Sequence, residues 1–200
     1  MKKTGIMGGT FNPIHNGHLM LAEAALAQVG LDEVIFMPSG VPYMKSAAEV
    51  LSGKIRAEMT ALAIREQPRF SLSVMEIEQN GNTYTYRTLE RLRDEHPDTE
   101  YYFIVGADSF FHITKWRCPE RIFANCTVVA AARGSTAVSD LERQARILEQ
   151  EYGAGIRILR TERVDISSSE LRRRIAAGEP INGKVPESVI TYIEKRGLYR

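Results

Sequence analysis

Cysteine is nearly missing from these 200 residues: Cys118 and Cys126 are the whole supply. Two isolated thiols build neither a disulfide framework nor a four-ligand zinc site, and they suit a reducing, cytoplasmic setting. An excess of either charge is missing too, since 26 Lys and Arg against 25 Asp and Glu leave a formal net charge of +1. Chains that coat nucleic acid carry a large cationic surplus, so no nucleic-acid partner is expected. A small anionic ligand, which needs only a few local charges, stays open. No run of 18 apolar residues occurs, so no membrane partner is expected either. Met1 to Gly9 holds two lysines with no sustained apolar stretch behind them, unlike a secretory leader. Neither Gly-x-x-x-x-Gly-Lys-Ser/Thr nor Gly-x-Gly-x-x-Gly is present, which weighs against P-loop and dinucleotide-fingerprint sites. Repeats, low-complexity runs and credible linkers are absent as well.

What is there reads as one globular domain over residues 1–200. Apolar residues make up 44% and charged ones 26%, the ordinary balance of a globular chain. At this length roughly 70% of the unfolded surface can be buried without covalent help. Period-two and period-3.6 patterns alternate. Strands are predicted at 4–7, 33–37, 70–77, 101–105, 127–132 and 156–159, and helices at 18–28, 55–65, 85–95, 141–151, 168–177 and 186–195. Residues 38–50 and Asn80-Gly81-Asn82 read as loop and turn. Such alternation implies an α/β, Rossmann-like, mainly parallel sheet with helices on both faces. Ligands of such sheets bind at the carboxyl ends of the strands, where strand order switches.

Gly8-Gly9-Thr10-Phe11-Asn12-Pro13-Ile14-His15-Asn16-Gly17-His18 lies between the first strand and the first helix. Glycines there let backbone approach a ligand, and N–H groups at a helix start attract anions. His15 and His18 share a face if their turn is helical, and each can donate to a phosphate oxygen. Alone, a Gly-Gly pair is usually a turn and His-x-x-His a solvated helix end. Their conjunction before an apolar helix favours a site. Near the other end, Ile166-Ser167-Ser168-Ser169-Glu170-Leu171-Arg172 opens a helix. Ser167 with Glu170 fits a capping box, while the serines and the planar fork of Arg172 also suit phosphate.

The first segment resembles the Gly-Gly-x-Phe-Asp/Asn-Pro-x-His-x-Gly-His signature of the nucleotidylyltransferase superfamily. The second resembles the same proteins' Ile-Ser-Ser-Ser/Thr-x-x-Arg. The similarity runs the length of the chain and is strongest to the bacterial nicotinate-nucleotide adenylyltransferases. It implies the nucleotidylyltransferase fold and adenylyl transfer from ATP to nicotinate mononucleotide, giving nicotinate adenine dinucleotide and pyrophosphate, a step of NAD biosynthesis. Mg²⁺ carried with ATP is the implied cofactor, and no protein metal ligand is assigned.

The resemblance also implies roles. His15 would hold the triphosphate near its α/β bridge and His18 the α-phosphoryl oxygens. Thr10 and Lys45 would meet transition-state charge, Lys45 standing in Pro42-Tyr43-Met44-Lys45 where the family has Pro-Pro-His-Lys. Gly8, Gly9, Phe11, Ile166, Ser168, Ser169 and Arg172 would complete the ATP site, with Gly106 and Asp108 beside adenosine. Tyr84, Thr85, Lys115, Trp116 and Arg133 would hold the acceptor, Trp116 by stacking on a pyridinium ring. Arg87 stands where the family often has an acid. The ending, 192–200, resembles the family's and is taken as structural. Two alternatives stay open: adenylylation of nicotinamide mononucleotide, and a catalytically silent nucleotide-binding module. Oligomeric state is open, a homo-oligomer included.

Overall fold

A computed structural model describes residues 1–40, 50–79, 81–131, 138–161 and 166–200. Six parallel strands form its sheet: β1 (Lys2–Gly9), β2 (Glu33–Pro38), β3 (Phe70–Leu72), β4 (Thr99–Gly106), β5 (Thr127–Ala131) and β6 (Gly155–Leu159). Their order is β3-β2-β1-β4-β5-β6. Strand order therefore reverses between β1 and β4, which pair from Lys2↔Thr99 to Met7↔Ile104. A crevice opens at their carboxyl ends.

Alternation along each strand splits the core. Met7, Val34, Phe36, Ile104 and Val129 point to one face. There they meet α1 (Asn16–Ala25), α2 (Gly53–Ile64), α8 (Ser168–Ala176) and α9 (Glu187–Lys195). Ile6, Met37, Phe103, Val105 and Val128 point to the other. They meet α4 (Thr85–Glu95), α5 (Ala107–His112), α6 (Pro119–Asn125) and α7 (Val138–Tyr152). The helical stripes follow the expected spacing: Tyr86, Leu89 and Leu92 on α4, and Leu141, Ala145 and Leu148 on α7, are buried. Among the described residues no helix is long and apolar enough to cross a membrane.

Beyond shifts of two or three residues at element ends, the structure differs from expectation most in three places. The strand predicted over 70–77 ends at Leu72, and Met75–Glu78 forms a helical turn, α3. The Ser73 hydroxyl accepts the Met75 N–H at 3.4 Å and starts that turn, so the apolar alternation outlasts the strand. Second, residues 107–125 hold α5, a 3₁₀ turn (Ile113–Lys115) and α6, none of them anticipated. Each is too short to show two helical periods. Third, α1 begins two residues before His18 and gives way to a π turn over Leu26–Gly30.

Candidate active site

The crevice at the β1/β4 switch widens into a cleft of about 640 Å³, within the size range of small-molecule sites. Its floor is formed by the ends of those two strands. At the end of β4, a β-carbon on Gly106 would meet nothing within 4 Å, so the fold's own packing does not demand glycine there. What the missing side chain leaves is room in the cleft wall. Gly9 is different. A methyl there would sit 2.9 Å from the ring of Phe11, so its bareness also serves internal packing.

The turn leaving β1 passes through Phe11, buried to 2% exposure in a left-handed conformation with φ +48°. That conformation costs a side-chain-bearing residue free energy and persists only where surroundings over-determine it. Here the Phe11 ring packs on Phe36 and meets the His18 ring edge-on at 5.0 Å. Phe11 therefore backs the imidazole from beneath while also lining the cleft. After the cis Asn12–Pro13 bond, His15 takes the N-cap of α1 and His18 its third helical position. Their rings stack with centroids 3.7 Å apart. The His15 backbone N–H donates to His18 Nδ1 at 3.2 Å. That bond occupies the Nδ1 lone pair, so the proton of a neutral His18 ring lies on Nε2. His18 thus performs the task usually given to Glu or Gln in a capping box.

Residues far away in sequence complete this wall. The Ser168 hydroxyl donates to the Pro13 carbonyl at 3.0 Å, and an Arg172 guanidinium N–H to the Asn12 carbonyl at 2.9 Å. His15, His18, Ser168, Ser169 and Arg172 consequently line one cleft. Ser167 caps α8 by accepting the Glu170 N–H, as expected. The reciprocal half of that capping box is corrected: both Glu170 carboxylate oxygens are taken by Arg173 and Arg174. Those two arginines are thereby engaged on the outer face of the helix. The chain end is more than a tail, because the Tyr199 hydroxyl donates to Asn12 Oδ1 at 2.8 Å.

The same cleft is lined by Tyr84, Thr85, Trp116 and Arg117, and by Asp108 in the first turn of α5. Trp116 rests edge-on against Phe103 at 6.0 Å. Lys115 does not join them. It ends the 3₁₀ turn exposed, and Arg117 supplies the cation in the wall, its guanidinium 5.3 Å from the Tyr84 ring centre. Arg87 lies 5.7 Å from the same ring. Ile166, Gly8 and Thr10 also line the cleft. Lys45 and Arg133 lie outside the described residues. Among those residues, no group of three His, Cys, Asp or Glu side chains is arranged to hold a metal ion.

Two residues were not legible. Arg56, on the buried stripe of α2 with Ala57, Met59, Thr60 and Ile64, is buried to 1% exposure. Glu76, on α3, lines the cleft and accepts the Thr88 hydroxyl at 2.7 Å. It also accepts from Thr83 and the Gly40 amide, yet desolvation still pushes its carboxyl above the ordinary 4.5. An acid raised in the folded state binds more protons there than when unfolded. The contribution of Glu76 to stability is then fully present at low pH and declines as pH climbs from 4.5 through the raised value. Glu76→Gln should flatten that decline. Denaturant titrations between about pH 4 and 8 read it, and unchanged slopes would acquit Glu76.

Known proteins of similar sequence and shape bear on this geometry. Residues 6–174 match a family model described as cytidylyltransferase-like. A probable nicotinate-nucleotide adenylyltransferase of Lachnoclostridium phytofermentans is 45% identical over 199 residues, covering 100% of both chains. One of Clostridium botulinum is 40% identical, covering 100% of this chain and 99% of its own. In shape, the chain is similar to a Plasmodium falciparum nicotinic acid mononucleotide adenylyltransferase complexed with NaAD. The TM-score is 0.81 at 21% identity, over 100% of this chain and 98% of the other, a likeness of fold alone. With full-length identity at this level, and a cleft at the strand-order switch holding both signature segments, the chain belongs to the nicotinate-nucleotide adenylyltransferase family of the cytidylyltransferase-like nucleotidyltransferases.

Proposed function

We propose that the protein transfers the adenylyl group of MgATP to nicotinate mononucleotide, yielding nicotinate adenine dinucleotide and pyrophosphate. The reaction would serve NAD biosynthesis in the cytoplasm. One observation carries the reading: two imidazoles from the start of the chain and a serine-arginine helix from near its end share a cleft with Trp116. Anion donors and an aromatic wall bearing the Arg117 cation thus border one cleft.

The chemistry follows from charge. The nucleophile is a phosphate monoester oxygen, whose second pKa near 6 leaves it mostly dianionic at neutral pH. No protein base is needed. The barrier comes from bringing two anions together and from charge growing on the α-phosphoryl and the departing pyrophosphate. Positioning and fixed donors lower it. In this reading Nε2–H of His18, aligned through Nδ1, donates to the α-phosphoryl oxygens, and His15 to the α/β bridge. Thr10 and Lys45 add donors, while Ser168, Ser169 and Arg172 receive the pyrophosphate. Mg²⁺ carried on the triphosphate would offset part of that charge. Gly106 and Asp108 face adenosine. Trp116 stacks on the pyridine ring beside Tyr84 and Thr85, and Arg133 meets the acceptor phosphate. Arg117 makes that end cationic and favours a pyridine carboxylate over an amide.

The test is pyrophosphate release on mixing the protein and MgATP with nicotinate or nicotinamide mononucleotide. Rapid release with the acid and at least tenfold slower release with the amide is expected. Faster release with the amide reverses the acceptor assignment. ATP binding without release to either acceptor marks a silent binding module.

A further inference from the structure

We propose that Arg56 is a positioning residue, one that holds the turn after β1 in the shape required by the triphosphate end of the cleft. Arginine is rarely buried without a partner charge, because removing a cation from water is costly. Arg56 is 1% exposed, and its hydrogen bonds all run to backbone carbonyls. Nε donates to Leu51 at 2.9 Å and one terminal nitrogen to Thr10 at 2.7 Å. The other donates to Ser39 at 2.7 Å and Gly40 at 3.1 Å.

Those carbonyls belong to three separate segments: the Gly-Gly-Thr turn, the residues just past β2, and the entry to α2. An apolar side chain of equal volume would fill the space at lower cost if packing were the whole task. Joining four carbonyls at fixed angles needs the guanidinium fork, and an ammonium has neither the reach nor the planarity. Thr10 shows its other side to the cleft. The buried cation therefore sits one residue behind the wall that meets a polyanion. Carbonyl dipoles offset its charge in part, and a bound triphosphate offsets more. The same link ties Gly40 to Glu76, since the Gly40 amide donates to that carboxylate. Its direct bond to the Thr10 carbonyl makes the triphosphate side the first to feel a movement of Arg56, whereas the acceptor side is reached only through Gly40 and Glu76.

The inference rests on the adenylyl-transfer reading only for the identity of the nucleotide. Full-length parent, Arg56→Lys and Arg56→Met should be compared with ATP and nicotinate mononucleotide varied separately. Folded Arg56→Lys is expected to lose about 100-fold in kcat/KM for ATP, the scale of a misplaced reacting group. KM for the acceptor should stay within about twofold. Parent-like kcat/KM for ATP, or equal losses toward both substrates, would overturn the proposal. Should neither variant fold, the parent decides through ¹⁵N-arginine spectra. Among the described residues Arg56 is the buried arginine, so its Nε–H should exchange slowest with solvent. Inorganic tripolyphosphate should shift that resonance, and nicotinate mononucleotide alone should not. An unmoved resonance sinks the idea whether or not tripolyphosphate binds. A parent that releases no pyrophosphate overturns the reaction instead, and the tripolyphosphate shift then decides the positioning role by itself.

Discussion

His18→Ala should lower turnover by several hundredfold while ATP affinity changes comparatively little. Removing one preorganised donor from a site of developing charge commonly costs about 2.7–4 kcal/mol in the transition state. Ground-state binding should suffer less, because in the proposed reading Ser168, Ser169 and Arg172 hold the far phosphates independently. The alanine variant loses a second thing, the acceptor for the His15 N–H. A missing cap costs about 1 kcal/mol of stability, and a loosened α1 would lower turnover as well. His18→Glu separates the two effects. Its carboxylate oxygen can cap α1 in the usual way, but an ionised carboxylate only accepts, so no donor then stands where Nε2–H was. Stability should return with glutamate and turnover should not. Parent-like turnover in folded His18→Ala would remove the donor role, and recovery of turnover together with stability in His18→Glu would reduce His18 to a cap.

The sheet and its ligand-binding edge were legible because buried parallel strands announce themselves. Runs such as Tyr101-Tyr102-Phe103-Ile104-Val105, followed by glycine, require a strand covered on both faces. The two signature segments were legible because each combines a turn, a helix start and anion donors within a dozen residues. What escaped was of two kinds. Short elements carry too few periods to register: α5 and α6 are six and seven residues long. A start signal existed for α6 in Pro119 at its first turn, after Cys118 in a left-handed conformation. Buried polar residues escaped for another reason. Arg56 and Glu76 matter through partners brought by the fold, Thr10 and Ser39 for one, Thr83 and Gly40 for the other. No local pattern marks a charge that will be solvated by distant carbonyls or hydroxyls. Lys115 lies apart for a local reason: the 3₁₀ turn ends at that residue and leaves it exposed, while Arg117, two residues on, lines the cleft.

Arg172→Ala should be as damaging as loss of His18, by a different route. Arg172 serves the cleft and the fold together, since it lines the wall and donates to the Asn12 carbonyl at 2.9 Å. Asn12 is where the distant parts of the chain are joined. Its side-chain oxygen accepts the Tyr199 hydroxyl at 2.8 Å and the Leu51 N–H at 3.4 Å. Removing the guanidinium loosens the tie between α8 and the histidine turn and, in the proposed reading, takes a cation from the leaving group. We expect kcat/KM for ATP to fall about 100- to 1,000-fold, in line with the loss of a charged donor from a preorganised site. Inhibition by added pyrophosphate should weaken in parallel, because the same fork is proposed to hold product. KM for nicotinate mononucleotide should hold within about twofold, since the proposed acceptor pocket draws on α4 and Trp116 rather than on α8. Arg172→Lys should recover charge but not the double engagement, since one ammonium serves a carbonyl and a phosphate with poorer geometry. A lysine variant equal to the parent in both ATP kinetics and pyrophosphate inhibition would show that charge alone matters. Undiminished pyrophosphate inhibition in Arg172→Ala would place the leaving group elsewhere in the cleft.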